Sequence, residues 1–127
     1  MKKLLAFLLL FPSLAFAQYT SNIPATNAIP SISSGFGTTP SVTAGYAAAF
    51  RVNVGTGGAA TTGVVALPTA FAGWNCTAQD ITTPASFVTA QTASTVSTAS
   101  FANYSRTTGL SIAWTASDIL AISCLPY

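Results

Sequence analysis

Histidine and glutamate are absent from the 127 residues, and the only lysines are Lys2 and Lys3. Without them the commonest general bases and metal ligands are missing, and a Ser-His-Asp triad cannot be assembled. Charge of either sign is scarce, at 5% of residues, and Asp80 and Asp118 are the sole carboxylate side chains. A glycosidase needs two facing carboxyls. Here Asp80 closes one strand pattern and Asp118 opens another beside a turn, where an aspartate ordinarily bonds local backbone. Two separated aspartates also fall short of the oxygen count that calcium requires, even with Asn53 or Asn103 added. The glycine-rich stretch Gly55 to Gly58 lacks the lysine and hydroxyl residue of a phosphate-binding loop, so it reads as a turn. The expectation is a protein with no catalytic residue, no metal site and no cofactor. Nucleic acid is excluded as a partner on the same scarcity, because such binding draws its affinity from many lysines and arginines.

What is present begins with Met1-Lys2-Lys3, an apolar run from Leu4 to Phe11, a break at Pro12-Ser13 and the small-residue ending Ala15-Phe16-Ala17. These three parts predict a secretory signal over residues 1–17, cleaved before Gln18. A membrane-spanning helix needs roughly 20 apolar residues, and this run is shorter and broken by proline, so no stable membrane insertion is expected after cleavage. No cysteine stands near the cleavage site to take a lipid. The expected location is secreted, periplasmic or cell-surface.

Cleavage removes both lysines and leaves 110 residues, enough for one hydrophobic core. Arg51 and Arg106 then balance Asp80 and Asp118, for a formal charge of zero. Near-zero charge removes self-repulsion and favours association with further copies or with a surface. Cys76 and Cys124 both travel to an oxidising compartment, where a disulfide between them is the default.

Residues 18–34 are polar and small, with Pro24 and Pro30 placed to interrupt regular structure, and read as an extended linker or arm. Residues 35–127 read as the folded domain. Alternation over Tyr46 to Val54 puts Ala48, Phe50, Val52 and Val54 on one face of a strand. Gly63 to Leu67 is a short apolar strand. In Gly73 to Asp80, Trp74, Cys76 and Ala78 share the inner face. Ser86 to Tyr104 is rich in Thr and Ser around Phe87, Val96 and Phe101, which favours strands of unsettled register. Leu110 to Trp114 alternates again, and in the last segment Leu120, Ile122 and Cys124 point one way. Short strands with turns at regular spacing and no sustained helical period predict an all-β fold, a single antiparallel β-sandwich of immunoglobulin-like or jelly-roll-like kind. Trp74 two residues before Cys76 departs from the immunoglobulin pattern, where the core tryptophan stands on a strand between the two cysteines.

Aromatic rings are the remaining lead to function. Tyr46, Tyr104 and Trp114, with Tyr127, are candidate partner-binding residues, suited to a protein or glycan surface. Strand enrichment of aromatics accounts for the same residues without any binding role.

The stretches Gly35-Phe36-Gly37-Thr38-Thr39-Pro40, Ala49 to Gly58, Gly73-Trp74-Asn75-Cys76, Asn103 to Gly109 and Trp114 to Leu120 together resemble β-rich domains in structural proteins of tailed bacteriophages. The likeness spans most of residues 35–124. It implies a tail-fibre or virion-surface setting, a structural or receptor-facing role and no catalysis, and it assigns no site residue.

Overall fold

The computed structural model describes residues 27–127, and every described element is a β-strand. The expected signal, its cleavage site and most of the expected arm lie outside the described residues. The strands are β1 (Ser31–Gly35), β2 (Ser41–Tyr46), β3 (Ala49–Asn53), β4 (Thr62–Ala66), β5 (Trp74–Asp80), β6 (Phe87–Ser94), β7 (Thr98–Ser105) and β8 (Ile119–Pro126). They form two four-stranded antiparallel sheets, ordered β1-β4-β7-β6 and β2-β3-β8-β5, packed as a sandwich. None of the described residues forms a helix long and apolar enough to cross a membrane.

Period-two patterning builds the core. Phe50 and Val52 on β3, Val65 on β4, Trp74 and Cys76 on β5, Ala99 and Phe101 on β7, and Leu120, Ile122 and Cys124 on β8 meet between the sheets. Their alternate neighbours Arg51, Asn75, Thr77 and Ser123 face solvent. Phe36, just after β1, lies on Gly63 of β4, where any Cβ would collide with its ring. Gly63 therefore serves as the floor for that phenylalanine, which in turn packs against Trp114 with ring centroids 5.3 Å apart. Gly55 takes φ 84° against the carbonyl of Thr38, a turn that only glycine makes without strain.

Cys76 and Cys124 are bonded, with Cα atoms 4.1 Å apart. They are direct partners on the neighbouring strands β5 and β8 of one sheet. The amide of Cys124 turns to Ala48 and that of Cys76 to Gln91, so neither bonds across the pair. This is the closer, non-hydrogen-bonded kind of antiparallel pair. The bond thus differs from the inter-sheet bridge of an immunoglobulin domain.

Four expectations change. Among the described residues, regular structure starts at Ser31, inside the expected arm. The alternation from Tyr46 to Val54 is divided by a turn at Ala47-Ala48, so Tyr46 ends one strand and Ala49 starts the next. Strand β2 forms where the sequence shows no strand pattern, since it exposes nearly every side chain. Leu110 to Trp114 is an irregular segment held to β7 by one backbone bridge, Tyr104 to Ser111, and by the Asn103 amide on the Ala113 carbonyl.

Candidate functional site

The sandwich has two chemically different ends. At the upper end, where β5 starts and β8 stops, the chain from Leu67 to Gly73 folds beside the β6–β7 turn and the carboxy-terminal Tyr127. Trp74 is the post for this end. Its ring is fully buried, and its indole Nε1 donates to the carbonyls of Pro68 and Val96 at 3.0 and 3.2 Å. The amides of Ala72 and Gly73 donate to the Tyr127 carbonyl, whose own amide donates back to Gly73. The Tyr127 ring lies over Gly73, where an added Cβ would come within 2.7 Å of its hydroxyl oxygen.

Strand β5 is the edge of its sheet, and side chains of β6 cover its upper half. Gln91 behaves like a short length of strand: its Nε2 donates to Trp74 O and its Oε1 accepts from Cys76 N, each at 2.7 Å. Ser94 Oγ accepts from Trp74 N at 2.7 Å. The β6 register shifts between Gln91 and Ala93, a bulge of the kind that re-aims side chains. An edge whose polar groups are taken up in this way offers little for uncontrolled strand pairing.

Between these parts runs a groove of about 610 Å3, floored by Trp74 and flanked by Asn75, Ser94, Leu125 and Tyr127. No charged residue lines it. Leu125 and Tyr127 are exposed, and Phe71 on the adjoining loop is 94% exposed. A concavity free of charged side chains, with exposed apolar and aromatic surface and a few amide and hydroxyl groups, suits contact with a polar partner surface.

The lower end is polar. Asp80 and Asp118 meet there, each almost fully buried, and the hydroxyl of Thr83 reaches both, at 2.9 Å from Asp80 Oδ2 and 3.4 Å from Asp118 Oδ1. The reading of Asp80 as a turn-former holds, since its Oδ1 accepts from the amides of Thr82 and Thr83. Its separation from Asp118 does not. Burial chiefly, then the neighbouring Asp80 charge and hydrogen bond, push the Asp118 carboxyl above its usual value, against smaller opposing bonds from Thr115. Thr89 Oγ1, Asn103 Oδ1, Trp114 Nε1 and Asp118 Oδ2 are all buried without a protein partner. Among the described residues no three His, Cys, Asp or Glu side chains cluster.

Of the aromatic candidates, Tyr46 is exposed at the β2–β3 turn, Tyr104 is half-buried on β7 in the other sheet, and Trp114 is 3% exposed in the core. They do not form one face, and Trp114 is not a surface residue. It packs in the core against Phe36. Sequence reasoning named Tyr127 but overlooked Phe71, whose signal was a lone phenylalanine among small residues between Pro68 and Gly73. No protein-family model matches the chain, and neither a curated protein nor a solved structure matches it. What the fold and the groove define is a small all-β sandwich closed by one disulfide, with an uncharged concave end.

Proposed function

We propose that this protein is a non-catalytic, exported structural or surface-binding module that engages its partner through the upper groove. The observation that carries the reading is the groove itself: a hollow without charged side chains, lined by exposed Leu125 and Tyr127, set on a post of buried Trp74, with exposed Phe71 on the adjoining loop. Export is supported by the signal-like start of the sequence and by the disulfide, a bond that persists in oxidising compartments. The resemblance to bacteriophage structural domains supports a virion-surface setting, and the exported start supports a bacterial cell surface. A second reading, glycan binding, is favoured by Tyr127, an exposed residue (61%) beside Asn75 in a groove lined by no charged side chain.

Fluorescently labelled protein is to be titrated onto intact bacterial cells and onto a glycan array. The double variant Phe71→Ala/Tyr127→Ala is expected to weaken binding at least about tenfold, the effect of losing aromatic anchors, with its melting temperature retained. Asp80→Asn/Asp118→Asn, at the opposite end, is expected to leave binding unchanged. Cell binding that survives the aromatic double variant, or that is lost in the folded aspartate variant, contradicts the placement of the site. Retention on defined neutral saccharides selects the glycan reading. Cell binding with a blank array selects a protein partner.

A further inference from the structure

We propose that Asp80 and Asp118 form a one-proton carboxyl pair that clasps the β5–β6 loop to the start of β8, making the lower end of the sandwich a pH-sensitive joint. The two side chains are the only carboxylates in the sequence. They stand 38 positions apart, yet the fold buries them against each other, at 3% and 1% exposure.

The hydrogen-bond inventory shows why a proton belongs there. Asp80 accepts from the amides of Thr82 and Thr83 and from the Thr83 hydroxyl. That hydroxyl has one proton, and at 2.9 Å it serves Asp80 better than Asp118 at 3.4 Å. Asp118 Oδ2 has no protein donor at all. A proton on Asp118, donated toward Asp80, supplies the missing bond and removes the like-charge contact.

No positive group intervenes. Arg106, just after β7, donates its Nε to the carbonyls of Pro84 in the β5–β6 loop and Phe87 at the start of β6. Arg51 of β3 is exposed on the outer face of its sheet. The loop at 115–117 contributes only uncharged donors, from Thr115. Thr82 and Thr83 bond Asp80 from the β5–β6 loop, and neither titrates.

The contacts around the pair make it a joint. Thr82 Oγ1 accepts from the Ile119 amide at 2.8 Å, Ile81 N donates to Ile119 O, and Val54 N donates to Asp118 O. Ionising both carboxyls places repulsion where the β5–β6 loop, β8 and the chain after β3 converge.

The sign follows from the upward displacement of Asp118. The folded state keeps a proton that the unfolded chain releases, so the stabilisation is fully present below the ordinary aspartate value of 3.8 and is lost as pH rises through the displaced one. Thermal melts of the disulfide-intact protein are to be run from pH 4 to pH 9, with EDTA and with millimolar calcium chloride. The melting temperature is expected to fall by about 4–8 °C toward alkaline pH, the shift that 1 kcal/mol produces in a domain of this size. In Asp118→Asn the amide donates permanently to Asp80, so the fall should disappear. Asp80→Asn, whose amide can donate to Asp118, should behave alike and serves if the first variant does not fold. A wild-type melting temperature that is flat or rises with pH overturns the proposal, as does an unchanged fall in both variants. Calcium that stabilises the wild type at alkaline pH, and not the variants, assigns the pair to a cation and overturns it equally.

Discussion

Replacing Cys76 and Cys124 together by alanine is expected to lower the stability of the folded protein by about 4 kcal/mol, the chain-entropy value for a loop of this length. The bond joins positions 48 apart, so the unfolded chain gains the freedom of a loop that takes in β6, β7 and everything between β5 and β8. Few other features limit that freedom. The described chain has no helix to nucleate locally, and apart from the β2–β3 and β6–β7 hairpins its strand pairings join distant segments. Within the native state the bridge fixes β5, the edge strand, to β8 at a buried pair. Since a domain of this size has only about 5–15 kcal/mol in total, the variant should melt about 15 °C or more below the wild type. Urea denaturation followed by circular dichroism measures it. A loss under about 1 kcal/mol would mean that the unfolded chain is already restricted and that the bridge is incidental to the fold.

The second large effect is expected at Trp74. Truncation to alanine removes the largest fully buried side chain, and a loss of about 3–5 kcal/mol follows from the cavity alone. It also leaves the Pro68 and Val96 carbonyls without their indole donor, which loosens the segment from Leu67 to Gly73 and the turn that together frame the groove. Trp74→Phe separates the two contributions, because it keeps most of the packing and forfeits both indole hydrogen bonds; Val96 O keeps the Ala70 amide, so the unsatisfied acceptor is Pro68 O, at a cost of about 1–3 kcal/mol. Phe71→Ala, on the same loop but open to solvent, should change stability by less than about 0.5 kcal/mol. Denaturation curves of the three variants decide it. Equal losses in Trp74→Ala and Phe71→Ala would remove Trp74 from its role as the post of the upper end.

How much of this was legible in the sequence depended on whether burial left a mark on neighbouring residues. On β3, β5 and β8 one face is core and the other solvent, so the alternation of Phe50 with Arg51 or Cys76 with Thr77 carried the strand and its inner face directly. Strand β2 has no such contrast, because only Val42 is half-buried and its neighbours are all exposed. From Leu110 to Trp114 the contrast was present and misleading. Strand β4 pairs with β7 only as far as Ala102, and the segment fills the space beyond it with one bridge while Leu110 and Ile112 stay exposed.

The meeting of Asp80 and Asp118 was hidden because strand order is not written in local pattern. One signal could have revealed it. A Cys76–Cys124 bond between adjacent antiparallel strands puts Asp80 opposite Leu120, with Asp118 on the same inward face two residues before. The groove was less accessible still, since it depends on Gln91 and Ser94 crossing from one sheet to the edge of the other.

The most direct test of an exported, disulfide-closed module is the intact mass of the product after expression of the full 127-residue chain in a bacterial host with an oxidising periplasm. The expected species begins at Gln18 and gains the mass of two hydrogens on reduction, as the Cys76–Cys124 bond opens. An exported product that retains Met1, or an oxidised preparation carrying two free thiols, would contradict the account.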